Sequence, residues 1–460
     1  MATGSTSTLL LPRLAAQAQA RHAELMHAAP AGWRSHVDDA ARRALLDWTG
    51  VCLGARQEAQ ARITALTARG WSSVGRASLL TGGTAAPAVA AWVNATLSHV
   101  LDYDDTHVDS ILHGSGPVWA VLLALGQQHG IEEQRLLAAF SVGIQTGARL
   151  GMNGLGERLT RHGWHATPVL GPIAAAVAGA LALDLREDQL AHAMALAATQ
   201  AGGLTASFGA MAKPLHAGGA ALHAVTAVEL AARGCEGALS VLDRPGGLFQ
   251  TLLQDPALDL SGCTLDNDWE VARNSFKPYA SCQLTQAGID AARALAGRIN
   301  PQDIEQVVVH AHPLALKVAG RSQPSNSNEA KFSLPYCVAL GLSGFKAGAS
   351  DFQPERIRDA SLQALASRVA LQPDETATRS SARIRVQPRQ GPALEQTVAS
   401  CYGSVDHPMH WDDLRIKFLD LARPVLGGRA QALADELARF GAPASLARIT
   451  KAFQSIGDVA

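Results

Sequence analysis

The sequence predicts a mainly α protein, with a large all-α helical domain and an inserted smaller α+β lid domain. Apolar residues recur every three to four positions over roughly the first 270 residues, the period of amphipathic helices. Alternation typical of strands appears only after this part, and helical periodicity returns near the end of the chain. We therefore predict that residues 1–270 plus 402–460 form the helical domain and residues 271–401 the lid domain.

Each predicted element rests on this periodicity. Helices are predicted over 37–55, 85–105, 132–150, 187–200, 218–234, 411–428 and 430–441. Within the predicted lid domain, helices are expected near 283–297, 329–345 and 354–368, and strands at 303–312, 382–389 and 394–400.

Composition and charge argue against several functions. The 39 basic and 40 acidic residues leave a net charge of -1, and no basic run is long enough to follow a nucleic-acid backbone. The longest apolar run, at 172–183, is too short to span a membrane and is expected to be a buried core helix. Residues 1–20 lack the features of a secretory signal, so we expect a cytoplasmic protein with neither nucleic-acid nor membrane partners.

The six cysteines argue against a metal cluster. No two lie closer than nineteen positions, so the chain has no C-x-x-C pair that would begin a zinc or iron–sulfur site. We expect separate reduced thiols, no metal and no cofactor.

The segment LDYDDTHVDSILHGSG is unusually rich in carboxylates. The segment is not an EF-hand loop, because histidine stands at both the position that requires Gly and the position that requires Glu. It is not a DDxxD metal-binding motif either, because the third acid, Asp109, comes one position late. Asp104 and Asp109 are expected to cap helices and face water. Asp102 ends an apolar run, so it should lie at the edge of the core and need a partner.

Three other segments place a cation beside Pro or Gly at a predicted helix start. His165 precedes Thr167, a predicted N-cap, and Lys213 precedes a proline that disfavours helix at that residue, with His216 just beyond. Lys277 also precedes a proline. Helix starts bind anions, so converging segments of this kind predict a site for a small molecule with two or three carboxylates.

These segments carry a resemblance. LDYDDTH, GWHATPVLGPIAAA, AKPLHAG, FKPYASC and KFSLPYCVALGL occur in this order, and the chain resembles the MmgE/PrpD family over nearly its whole length. That family includes 2-methylcitrate dehydratase, cis-aconitate decarboxylase and iminodisuccinate epimerase. The resemblance implies a helical domain interrupted by an α+β lid, a cleft between the two domains, and a homodimer.

The resemblance also implies roles for residues of this chain. The catalytic candidates are His113, His165, Lys213, Lys277 and Tyr336. The substrate-binding candidates are Asp102 and Thr106, which match the family's polar pair, together with His216, Tyr279, Ser281 and Cys282 from the same segments.

Two positions depart from the family pattern. Cys282 stands where the decarboxylase has an active-site histidine, and Gln286 stands where many relatives have another. Neither side chain titrates as imidazole does, which disfavours decarboxylation of the same substrate.

The predicted function is therefore a cofactor-independent hydro-lyase of the 2-methylcitrate dehydratase type, acting on a small di- or tricarboxylate such as a citrate-like 3-hydroxy acid. The alternatives within the family are an epimerase and a decarboxylase of a related polycarboxylate. Outside it, the alternatives are a metal enzyme that uses the aspartate cluster and a helical scaffold without activity.

Overall fold

The computed structural model describes residues 9–28, 31–266 and 268–459, and it confirms the mainly α class. The helices before residue 260 are α1 (Leu10–Ala23), α2 (Ala31–Ala55), α3 (Ala59–Gly70), α4 (Pro87–Val100), α5 (Ser115–His129), α6 (Glu133–Gly151), α7 (Leu155–Arg161), α8 (Ala166–Ala182), α9 (Glu187–Ala198), α10 (Ala212–Ala232) and α11 (Leu248–Leu253). Those after it are α12 (Gln286–Leu295), α13 (Pro313–Ala319), α14 (Ser327–Ala330), α15 (Leu334–Leu342), α16 (Pro354–Ile357), α17 (Ala360–Ala366), α18 (Trp411–Leu426), α19 (Arg429–Ala438) and α20 (Ser445–Gln454).

Helix α8 lies in the middle of the helical part. Every one of its residues is buried, and α5, α6, α9 and α10 pack around it. This confirms that the apolar run at 172–183 belongs to a core helix. Its many Ala and Gly residues let the neighbouring helices approach closely. Among the described residues, no helix is both long and apolar enough to cross a membrane.

Helices α4 and α10 are in direct contact, and this contact sets the position of the candidate site. Gly218 on α10 faces Thr96 on α4, and a side chain at this glycine would collide with the Thr96 hydroxyl and the Trp92 carbonyl. Because Gly218 has no side chain, α10 can lie close to α4 at this point.

In the part of the chain that the structure describes, the strands form two small sheets. β1 (Ala77–Ser78) and β2 (Thr84–Ala85) make an antiparallel pair. The larger sheet has the order β4-β3-β5-β6, built from β3 (Ile304–Ala311), β4 (Val369–Pro373), β5 (Ala382–Pro388) and β6 (Leu394–Val398). β4 runs parallel to β3, whereas β5 is antiparallel to β3 and β6 is antiparallel to β5.

Several elements differ from the sequence predictions. The helix expected near 329–345 is broken into α14 and α15, the helix expected near 354–368 is broken into α16 and α17, and β4, α13 and α20 were not predicted. These elements are short, and local periodicity is a weak signal over so few residues. The C-terminal helix α18 packs against α2 as expected. The division into residues 1–270 plus 402–460 and a lid at 271–401 stays a prediction.

Two helix starts also lie earlier than predicted. α8 begins at Ala166 with His165 as its N-cap, so Thr167 is already helical. α10 begins at Ala212, so Lys213 is helical although Pro214 follows it. A proline in the first turn removes an N–H that would have no partner within the helix, which explains why the helix tolerates it.

Candidate active site

Asp102 turns the chain inward at the end of α4. Its φ of 52° lies in the left-handed region, which aspartate adopts more readily than most side chains. Its backbone N–H donates to the His99 carbonyl at 3.3 Å. The carboxylate is buried, since the residue is only 3% exposed. A buried charge needs a partner of opposite charge, as predicted for Asp102 from the sequence.

Two lysines provide that partner. Lys213 Nζ donates to the Asp102 carboxylate, while Lys277 Nζ donates to the Asp102 carbonyl at 2.8 Å and lies 3.4 Å from the carboxylate. Burial alone would raise the pKa of Asp102, but the two ammonium groups outweigh it and the pKa lies below its usual value. Burial would likewise lower the pKa of Lys277, yet Asp102 and Asp104 raise it. Lys277 and Asp102 are therefore held in their charged forms.

Asp104 was expected to face water, but this prediction is wrong, because Asp104 belongs to the same buried cluster. Its carboxylate lies 2.6 Å from His99 Nδ1, 3.4 Å from His113 Nδ1 and 3.8 Å from Lys277 Nζ. Burial would raise the pKa of Asp104, but the neighbouring His99, His113 and Lys277 hold it well below its usual value. Asp109 lies near the surface, paired with Arg273 at 2.9 Å.

His99 is a site residue that sequence reasoning missed. It lies within the apolar run of α4 and is buried. Helical spacing gave no signal for it, because Asp102 and Asp104 lie beyond Val100, the last residue of α4.

His113 is fixed by hydrogen bonds at Nδ1. This atom lies 2.9 Å from the Asp105 carbonyl and 3.1 Å from the Thr106 hydroxyl. A carbonyl oxygen only accepts, so Nδ1 carries the proton in the neutral ring and Nε2 has a free lone pair. Burial lowers the pKa of His113 to about 3, and the Asp104 carboxylate offsets this only in part. The ring is therefore uncharged at neutral pH.

His165 lies across the site from His113, with a distance of 6.3 Å between the two ring centroids. Its Nδ1 lies 3.0 Å from Nδ1 of His216, which orients the ring from α10. Burial lowers the pKa of His165 well below its usual value, and Lys213 lowers it further. Burial also lowers the pKa of His216, to about 4.

These side chains border one cavity. Six predicted site residues line it, namely Asp102, Thr106, His113, His165, Lys213 and Cys282. The remaining lining residues are Val108, Ile111, Thr160, Phe208, Gln283, Leu284, Leu314, Val318, Phe332 and Arg379. The Lys213 ammonium lies 5.5 Å from the Phe208 ring and 5.2 Å from the Phe332 ring, so apolar groups surround its charge.

Other predicted site residues lie outside the cavity lining. Tyr336 donates its hydroxyl to the Asp351 carbonyl at 2.9 Å, and Tyr279 donates to Asp290 at 2.5 Å. The Ser281 hydroxyl is 2.8 Å from that of Thr285, and Lys277 lies behind Asp102. Tyr336 and Ser281 belong to buried helix starts, so their hydroxyls bond to nearby main-chain or side-chain oxygens rather than facing the cavity.

Cys282 and Gln286, the two residues that depart from the family motif, are both buried. Burial raises the pKa of the Cys282 thiol to about 11, so the group stays protonated at neutral pH. The side-chain amide of Gln286 donates to the Ser281 carbonyl at 3.0 Å and accepts from the Tyr279 N–H at 3.3 Å. Gln286 therefore holds the turn that follows Lys277.

Asp105 supports the site from behind. Its carboxylate accepts hydrogen bonds from Ser115 and Asn274. Burial and the nearby Asp47 carboxylate raise the pKa of Asp105 to about 8, although the bond from Ser115 opposes this shift. Asp105 is therefore mainly protonated at neutral pH.

The described residues contain one group with the composition of a metal site. His99, His113 and His165 can each offer one ring nitrogen, and these atoms lie within 4.8 Å of one another. Histidine binds zinc and similar ions as the uncharged imidazole, often with its other ring nitrogen held by an oxygen, as Nδ1 is in His99 and His113 but not in His165, whose Nδ1 faces His216. The donor set therefore fits a transition metal in chemical type.

The protein thus has a mainly α fold that buries ammonium groups, carboxylates and uncharged imidazoles around one cavity. The chain belongs to the MmgE/PrpD family. Residues 23–261 match the MmgE/PrpD N-terminal domain and residues 279–439 match the MmgE/PrpD C-terminal domain.

The chain is also similar to several cis-aconitate decarboxylases. The mouse protein is 28% identical over 72% of this chain and 71% of its own length. The human protein is 27% identical over 72% of each chain. The Aspergillus terreus protein is 26% identical over 74% of this chain and 75% of its own.

Proposed function

We propose that the protein is a cofactor-independent lyase that eliminates water from a small di- or tricarboxylate, or adds it in reverse. The observation that carries this proposal is the pair of uncharged histidines, His113 and His165, on one cavity beside the Lys213 ammonium. Elimination needs a base for the proton next to the carboxylate and an acid for the departing hydroxyl. Two imidazoles on one cavity supply both groups.

In the proposed reaction, one histidine takes the proton from the carbon next to a substrate carboxylate. The electron pair of that C–H bond becomes the new double bond as the C–O bond breaks, and the other histidine protonates the hydroxyl, which leaves as water. His113 Nε2 has the free lone pair that a base requires.

The acid must first gain its proton. A substrate with two or three negative charges beside an imidazole favours the charged ring, because an opposite charge within a few ångströms raises a histidine pKa. Substrate binding therefore converts one uncharged histidine into the acid, and the empty site keeps both in the form that can act as base.

Lys213 and Lys277 are assigned different tasks. Lys213 lines the cavity and contacts the substrate carboxylate, whose developing enolate charge a preorganised ammonium stabilises. Lys277 lies behind Asp102 and acts as a positioning residue for that carboxylate. Phe208 and Phe332 exclude water around the Lys213 ammonium, which strengthens its charge interactions.

Decarboxylation is the second candidate, and the names of the similar proteins favour it. Against it stands Cys282, a thiol with a pKa raised by burial to about 11, in the place of a family histidine. Epimerisation is the third candidate, because two bases that line one cavity could remove and return a proton.

One experiment separates the three reactions. The purified protein is incubated in deuterated water with hydroxy, unsaturated and amino di- and tricarboxylates, and the products are identified by NMR. Loss or addition of water supports the proposal. Release of carbon dioxide identifies a decarboxylase, and deuterium uptake with inversion identifies an epimerase. The homodimer and the cytoplasmic location stay predictions, which sedimentation and cell fractionation test.

A further inference from the structure

Arg379 stands apart from the other cations around the cavity. It lies in the loop between β4 and β5, and it borders the cavity that His113 and Lys213 line. Among the described residues, nothing forms a hydrogen bond with its buried Nη1 atom, and no carboxylate lies within ion-pair distance of its guanidinium. A buried donor without a partner is costly, so such a group in a cavity wall indicates a ligand.

The lysines deeper in the site already have partners. The Lys213 and Lys277 ammonium groups face the Asp102 and Asp104 carboxylates, and the buried Lys331 donates to the Val100 carbonyl at 3.0 Å and does not line the cavity. A substrate with several carboxylates therefore meets little unpaired positive charge at this part of the cavity wall, and a further cation is needed to bind its remaining charge.

Arg379 lies where the cavity meets an outer, more polar one. Arg379 and Val108 border both, and the outer cavity also has Asp109, Glu157 and His312 in its wall. The two carboxylates are occupied by other arginines, Asp109 by Arg273 at 2.9 Å and Glu157 by Arg161 at 2.7 Å. The charge of Arg379 contributes to the lowered pKa of both carboxylates, but among the described residues it forms no ion pair with either, and its Nη1 donor remains available to a ligand.

Apart from Arg379, Thr160 and Gln283, the lining that the predicted site residues do not supply is apolar. The aliphatic side chains that line the inner cavity are Val108, Ile111, Leu284, Leu314 and Val318. They cannot donate hydrogen bonds to a carboxylate, and they suit the carbon chain of a ligand.

We propose that Arg379 determines substrate specificity by binding the carboxylate farthest from the reacting carbon, and that the substrate carries such a distal carboxylate. A guanidinium binds a carboxylate through two parallel hydrogen bonds, which fixes the direction of the ligand as well as its charge. The inference rests on the proposed function, because it assumes a polycarboxylate bound beside His113 and His165.

The test measures binding by calorimetry with two unreactive probes, propane-1,2,3-tricarboxylate and its terminal monoamide. Arg379→Gln should weaken binding of the tricarboxylate by about tenfold to a hundredfold, the range for a lost charged hydrogen bond. It should leave binding of the monoamide unchanged. Arg379→Lys should restore part of the tricarboxylate affinity, because it keeps the charge but loses the two-bond geometry.

Arg389→Gln is the matched control, since Arg389 is exposed on the chain just after β5. Equal tricarboxylate affinity for wild type and Arg379→Gln would overturn the role of Arg379 and leave the proposed function standing. Equal weakening of both probes would also overturn it, because the effect would not depend on the distal carboxylate. If the wild type bound neither probe, the proposed function itself would fail and the inference with it.

Discussion

Lys213 donates a hydrogen bond to the carboxylate of Asp102, and both side chains are buried although 111 positions separate them in the chain. The pair joins the start of α10 to the end of α4. Removing one partner of a buried pair leaves an uncompensated charge in the interior, which costs more than the pair itself contributes.

Asp102→Asn should therefore destabilise the fold by roughly 3–5 kcal/mol. Asparagine accepts the left-handed backbone conformation, so the loss would come from the charge. Urea unfolding measures it. Asp39→Asn, which removes a half-exposed partner of Arg43, should cost no more than about 1 kcal/mol. A similar small loss for both variants would contradict the role given to the buried pair.

His113→Ala should reduce turnover by about a hundredfold or more and leave the fold intact, because it removes a base or acid of the proposed reaction. Steady-state kinetics on the substrate identified by NMR gives the turnover. His162→Ala is the control, since His162 is exposed at the end of α7. Near wild-type turnover in both His113→Ala and His165→Ala would end the proposal.

Asp105 should make the fold less stable as the pH rises. Its folded pKa is about 8, raised by burial, against about 4 in an unfolded chain, so the folded protein keeps a proton that the unfolded chain releases. This stabilisation is complete below pH 4 and is lost as the pH rises through 8, at a slope of at most about 1.4 kcal/mol per pH unit.

Asp105→Asn cannot ionise, so its melting temperature should fall less than that of the wild type between pH 5.5 and pH 8.5. Circular dichroism follows the melting. Asp109→Asn is the control: burial alone would raise the Asp109 pKa, but the hydrogen bond from Arg273 and the neighbouring positive charges together lower it, which places its titration below this range. Parallel pH dependence for the wild type and Asp105→Asn would disprove the assignment.

Cys282→Ser should keep turnover within a few-fold of the wild type. Burial raises the thiol pKa to about 11, so little thiolate exists at neutral pH, and the proposed reaction forms no covalent intermediate. Iodoacetamide should label the exposed Cys235 well before Cys282. Abolished activity in the serine variant, together with a substrate adduct in the mass spectrum of the wild type, would identify a nucleophile instead.

Treatment with a chelator should leave activity unchanged, because the proposed steps use imidazoles and an ammonium group. The test is informative because His99, His113 and His165 lie close enough together to bind a metal ion. Activity is compared after dialysis against EDTA and after dialysis against buffer alone. Loss of activity in EDTA with recovery on adding zinc or iron(II) would replace the proposal with a metal-dependent reaction.

Much of the fold could be predicted because helices and strands each have a characteristic spacing of apolar residues in the sequence. The spacing of apolar residues placed α6, α9 and α18 within two positions at each end, and alternation placed β3 and β5. The order of the family motifs likewise needed only the sequence, since a motif is a local pattern. Elements of four to seven residues, such as β4 and α16, are too short for periodicity to identify.

The sequence by itself determined the class of fold, the family and six of the residues that line the cavity. The tertiary structure alone decided which of them meet: Asp104 turned inward, Tyr336 lies away from the cavity, and Arg379 borders it. The physical reason is that the burial of a charge depends on partners distant in the chain. Asp104 is buried because helix packing brings His99, His113 and Lys277 around it, and no local pattern records such a contact.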